Sequence, residues 1–154
     1  MSETRFQDYA SFWPYYISEH RDPRCRWVHF VGTTGFLSIL GANLMADPTR
    51  VGLALLLMFA IGAATFQLEA KRNAIPVVLV IIGIAAFAAP GILWGVLFAY
   101  ACAWVGHFLI EHNRPATFKY PMWSLVSDFR MFGQMLMGRL WNGDGSEIAP
   151  VGQV

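Results

Sequence analysis

The sequence predicts an all-α fold: an integral membrane bundle of four transmembrane helices, with amphipathic helices at its N-terminal and C-terminal ends on the cytoplasmic side. Three observations point there. Of 154 residues, 56% are hydrophobic and 14% charged, with a mean hydropathy of +0.44. A soluble domain carries about 25% charged residues to cover its surface. The apolar residues fall into four runs, each near the lower end of the roughly 17–25 residues that cross a bilayer. If all four runs cross, ten of the eleven Lys and Arg residues lie on one side, which is the bias expected of cytoplasmic segments.

The same composition excludes other classes. The chain is too apolar for a disordered protein. A net charge of +1 argues against a nucleic-acid partner, and two cysteines, Cys25 and Cys102, cannot form a disulfide framework. The first 26 residues lack an apolar run and carry Arg5, Asp8, Glu19, Arg21, Asp22, Arg24 and Arg26. They do not read as a signal peptide.

Before the first run, Phe6, Tyr9, Trp13, Tyr16 and His20 recur at helical spacing. Pro14 interrupts them and predicts two short helices or a kinked one. The runs then span about 28–45, 51–68, 74–89 and 92–110. Ala46-Asp47-Pro48-Thr49-Arg50, Glu69-Ala70-Lys71-Arg72-Asn73 and Pro90-Gly91 separate them. The third is the shortest, and a re-entrant hairpin is the alternative there. Backbone groups in lipid must pair within their own segment, which favours helix over open strand even for Val77–Ile82. Gly32, Gly35, Gly41, Gly62, Gly83 and Gly95 are expected to let helices approach closely. Lys and Arg number four before the first run, one after it, two in the middle turn, none between the last two runs and four after the last. The positive-inside rule then puts both termini and the middle turn in the cytoplasm.

Asn113-Arg114-Pro115 ends the last run. Leu125, Phe129, Phe132, Leu136 and Leu140 form a second stripe, between Trp123 and Trp141. It predicts an amphipathic helix over about 122–141, lying in the interface or packed on the mouth of the bundle. The Gly-rich tail, 142–154, is expected to be disordered.

Four histidines stand at one membrane face in this topology: His20 and His29 at the start of the first run, His107 and His112 at the end of the last. Ionisable residues within membrane segments are expensive and raise a functional hypothesis. His107 and Glu111 are one helical turn apart and share a face. His112 is rotated by about 140° from His107 and is expected to point away. A site of His20, His29 and His107, with Glu111 as a ligand or as acceptor for a histidine N–H, suits Fe(II) or Zn(II). Axial ligation of haem is a rival use of paired histidines. No Ser-His-Asp arrangement, P-loop or dinucleotide fingerprint is apparent.

Phe12-Trp13-Pro14-Tyr15-Tyr16-Ile17-Ser18-Glu19-His20, His29-Phe30-Val31-Gly32-Thr33, the stretch Gly106–Pro121 and Asp128-Phe129-Arg130-Met131-Phe132 together resemble one family. This is the membrane 2-hydroxy fatty acid dioxygenase family, which includes a fungal enzyme of phytosphingosine breakdown and bacterial relatives. The resemblance implies a non-haem Fe(II) enzyme that uses O2 to remove one carbon from a 2-hydroxy fatty acid. On its motifs His20, His29 and His107 fall on the histidine positions and Glu111 on the acidic, catalytic one. His112 stands where many relatives have Lys. Arg114, Lys119 and Arg130 are candidates to hold the substrate carboxylate, although positive-inside topology and lipid headgroup contact also account for them. A Zn(II) hydrolase acting on lipid and a non-enzymatic membrane scaffold are the alternative functions. A bacterial inner membrane is the expected location.

Overall fold

The computed structural model describes residues 5–66, 71 and 74–146. Among them are six α-helices and no strand: α1 (Tyr9–Ser18), α2 (Pro23–Ala46), α3 (Pro48–Phe66), α4 (Ile75–Ala88), α5 (Gly91–Trp104) and α6 (Pro121–Leu136). A π-helical segment, Val105–Glu111, continues α5, and a short 3-10 turn covers Ala116–Phe118. Three of these helical segments are long and apolar enough to cross a membrane: Pro23–Ala46, Pro48–Phe66 and Gly91–Glu111. The fourth apolar helix, α4, has 14 residues, about 21 Å at 1.5 Å per residue. That is short of the roughly 30 Å hydrocarbon core. Gln67 and Leu68, placed in the second run by sequence, and most of the turn after them lie outside the described residues.

Several helix boundaries differ from the hydropathy reading, for local reasons. Helix α2 begins five residues early because Asp22 caps it, accepting the Arg24 amide, and Pro23 occupies its first turn. Arg24, Cys25 and Arg26 are therefore helical. Helix α1 is one helix with Pro14 inside it, capped by Asp8, whose carboxylate accepts the Ser11 amide at 2.7 Å. The α2–α5 crossing is the tightest in the bundle. A Cβ on Gly32 would stand 2.9 Å from the Cys102 Cβ, and Gly95 faces Phe36. Gly41 and Gly83, by contrast, have open space beside them and mediate no close approach.

The larger of two core clusters lies at one end, the smaller being Val51, Ala89 and Ile92. Phe12, Trp13, Tyr16 and Ile17 of α1 pack against Tyr120, Trp123, Met131, Met135 and Leu140. The mid-bundle surface is apolar and exposed, at Leu53, Leu56, Phe59, Leu79, Phe87 and Trp94. Helix α6 divides the stripe read from sequence, with Leu140 beyond its end buried. Its buried face carries Trp123, Ser124, Ser127, Met131 and Met135, while Leu125, Phe129 and Leu136 face outward. In a water-soluble chain the apolar stripe marks the inside; here the outward face is the apolar one.

The segment after Trp141, expected to be disordered, is described as far as Ser146 and is held by Arg26. Arg26, fully buried, donates Nε–H to Leu140 O, Nη1–H to His20 O and Arg21 O, and Nη2–H to Asn142 O and Gly143 O. Leu140 and Gly143 reach these positions with positive φ, 62° and 66°. One guanidinium thus binds the α1–α2 loop to the C-terminal segment. The rest of the expected disordered tail, 147–154, lies outside the described residues.

Candidate metal centre

Three helical segments deliver one imidazole each to the buried end of the bundle. His20 follows α1, His29 lies in the second turn of α2, and His107 lies in the π-helical segment. Their ring centroids are 4.7 Å (His20–His29), 4.6 Å (His20–His107) and 5.3 Å (His29–His107) apart. One ring nitrogen from each lies within 4.8 Å of the others, and all three residues are buried.

Each ring is held from behind at Nδ1. His20 Nδ1 is 2.6 Å from the Tyr16 carbonyl, His29 Nδ1 is 2.7 Å from Asp128 Oδ1, and His107 Nδ1 is 2.7 Å from Asn113 Oδ1. A carbonyl, a carboxylate and an amide oxygen accept but do not donate, so all three Nδ1 atoms carry the proton. Neutral rings of that tautomer present a bare Nε2 lone pair. The Asn113 amide is oriented independently: its Nδ2 donates to Glu19 O at 2.8 Å and Glu19 Oε2 at 3.0 Å. The Nε2 atoms of His20 and His29 are buried with no hydrogen-bond partner. An orphaned buried polar atom costs about 1–3 kcal/mol, and a metal ion is one group that could satisfy these two nitrogens.

Burial, and then the neighbouring His29 and His107, hold the His20 imidazole well below its ordinary pKa, which keeps it neutral. Burial, with Asp128 adding to it, pushes the Tyr16 phenol up, so its O–H remains a donor; it reaches Asp128 Oδ1 at 3.1 Å. Burial opposes charge on Asp128, but His29 and the hydrogen bonds from His29, Thr33 and Tyr16 outweigh it and hold the carboxyl below the usual range. The Tyr16 ring stacks on His20 with centroids 4.2 Å apart.

The π-helical turn sets the position of His107. Such widened turns recur at functional sites because they re-aim one side chain within an otherwise regular helix. A Cβ at Gly106 would stand 2.9 Å from Cys25 Sγ and 3.2 Å from the His29 ring. Glycine there lets the segment approach α2. His112 ends the turn in the left-handed conformation, φ 55°, and is exposed. Its outward position follows from this left-handed cap and not from α-helical rotation.

Glu111 stands apart from the three imidazoles. Its Oε1 accepts the Asp22 amide at 2.7 Å, so the carboxylate caps the entry to α2. The i, i+4 argument assumed regular α-helix, and the π-helical turn breaks that register. Arg130 is exposed and lies over the Trp13 ring at 4.1 Å. Arg114 is exposed, and Lys119 offers its carbonyl to Arg5 at 3.0 Å. Asp128, Asn113 and Tyr16 were not read from sequence as site residues. For Asp128 a signal existed: it is the only carboxylate between Glu111 and Asp144, in the middle of an apolar helix.

A family model described as 2-hydroxy-palmitic acid dioxygenase Mpo1-like matches residues 6–140. No curated protein and no solved structure matches the chain. The chain belongs to the Mpo1-like family.

Proposed function

We propose that this chain is an Fe(II)-dependent dioxygenase that shortens a 2-hydroxy fatty acid by one carbon at the cytoplasmic face of a membrane. The observation that carries the proposal is the convergence of three buried imidazoles, each held at Nδ1, with the Nε2 atoms of His20 and His29 buried and unpartnered. Three neutral nitrogen donors fit a divalent first-row ion such as Fe(II). His20, His29 and His107 would hold it, and Glu111, whose carboxylate accepts the Asp22 amide, is the remaining catalytic candidate. When bound, Fe(II) supplies activation of O2, and the substrate furnishes the electrons for C1–C2 cleavage, so that C1 leaves as a one-carbon species.

The chain's own residues do the rest. Tyr16, Asp128 and Asn113 fix the rings by their hydrogen bonds. Phe12, Trp13 and Tyr16 are buried and exclude bulk water on the α1 side. Arg114, Lys119 and Arg130 offer positive charge to the substrate carboxylate. The outward apolar residues Leu125, Phe129 and Leu136 of α6 give this end a surface for lipid, where a fatty acid partitions.

Four crossings are supported by parity. Helices α1 and α6 pack on each other, so the chain leaves and returns to one end. Four apolar helices between them satisfy this, with the bilayer thinned or flanking residues snorkelling around the short α4. The Lys and Arg distribution then places that end in the cytoplasm, and a bacterial inner membrane is the proposed location. The test is incubation of purified protein, loaded anaerobically with Fe(II), with a 2-hydroxy fatty acid under air. We expect O2 uptake and a fatty acid one carbon shorter. Turnover with Zn(II) and without O2 uptake would replace this reading with a hydrolase, and neither metal nor turnover would leave a scaffold.

A further inference from the structure

The three imidazoles are held by different chemistry. Behind His20 stands a backbone carbonyl, behind His107 a neutral amide, and behind His29 a carboxylate. Asp128 also accepts from Thr33 Oγ1 at 2.8 Å through Oδ2, and from Tyr16 Oη through Oδ1. Donors from α1 and α2 therefore meet on one residue of α6. A carboxylate that accepts Nδ1–H draws that proton toward itself and raises electron density at Nε2, which a neutral acceptor does more weakly.

We propose that Asp128 is the positioning residue of this centre: it locks His29 in the tautomer that turns Nε2 inward and makes His29 the strongest donor of the three. The tautomer lock is a property of the metal-free protein. The donor-strength part rests on the metal-centre reading. The rival role is a bolt that merely joins α1, α2 and α6, and the other two hydrogen bonds separate the two roles. Asp128→Asn keeps the shape: its Oδ1 can still accept from His29 and Tyr16 while its Nδ2, standing where Oδ2 was, donates to the Thr33 oxygen, so it removes the charge and not the junction. Thr33→Val removes a junction bond and leaves the His29–Asp128 bond.

The experiment uses the full chain in detergent. Long-range proton–nitrogen spectra of the metal-free protein report histidine tautomers. We expect His29 to be Nδ1-protonated in the wild type and a mixture of tautomers in Asp128→Ala. Titration with Fe(II) or Co(II) should give about 10- to 100-fold weaker affinity for Asp128→Asn at unchanged stoichiometry. Thr33→Val should change affinity by less than about threefold. An unaltered His29 tautomer in Asp128→Ala would overturn the proposal. So would wild-type affinity in Asp128→Asn, or equal weakening in Thr33→Val, which would make the residue a bolt. If Asp128→Ala does not fold, the spectrum of Asp128→Asn and the titrations decide. A wild type that binds no metal would defeat the dioxygenase reading, and the tautomer spectrum would still decide whether Asp128 locks His29.

Discussion

The α3–α4 pair and the histidine end of the molecule differ in what holds them. Between α3 and α4 a shallow apolar groove is lined by Leu53, Ala54, Leu57, Val80, Gly83 and Ile84, and the polar tie across it is Arg50 donating to the Phe87 carbonyl at 2.7 Å. Leu53, Leu57 and Val80 are exposed while Ala54 is buried, and lipid is the solvent that suits the exposed side chains. At the histidine end, side-chain hydrogen bonds, stacked rings and a buried guanidinium join segments more than 90 residues apart in sequence. One region needs only apolarity and small residues. The other needs particular atoms at particular places, so substitution should be tolerated in the first and costly in the second.

The sharpest contrast is expected from a ring of the centre itself. His20→Ala should lower product formation by more than about 100-fold while leaving helical content unchanged, since even partners of ligands cost 10- to 100-fold; circular dichroism beside an activity assay checks both halves. Next comes Arg26→Met. Five carbonyls lose their donor, and a loss of about 3–5 kcal/mol is expected, the scale of breaking a buried charged network. Thermal unfolding and proteolysis at the C-terminal segment would report it, and an unshifted transition would mean the segment is held by other contacts. Gly106→Ala should weaken metal binding by about tenfold, because its Cβ enters the space of Cys25 Sγ. Adding Cys25→Ala should restore most of that loss in a double-mutant cycle. At the mild end, Leu56→Ala on the exposed face of α3 should change stability by no more than about 0.5 kcal/mol. A large effect there would reveal a protein partner on that face and blur the contrast.

The two regions also differ in how well sequence exposed them. Hydropathy located α3 and α5 with its π-helical continuation to within a few residues, and missed the start of α2 by five, because a bilayer imposes its own length on an apolar run. His20, His29 and His107 were readable as a group because topology closes the gap between the chain's two ends. The supporting residues were hidden. Asp128 lies off the stripe of Leu125, Phe129 and Leu136, and that stripe alone does not say what its other face packs against. The π-helical turn has no periodicity signature, so residue spacing held no sign that Glu111 accepts the Asp22 amide. Arg26 was counted as one more cytoplasmic cation, although it is fully buried. Such residues are fixed by tertiary partners, which local spacing does not encode.

The most direct measurement is the iron content of the full chain, purified in detergent and loaded anaerobically, beside His107→Ala treated identically. One Fe(II) per wild-type chain, and none in a variant that keeps its helical content, is the predicted result. Equal iron in both proteins, or none in the wild type, would contradict a cation held by these three imidazoles.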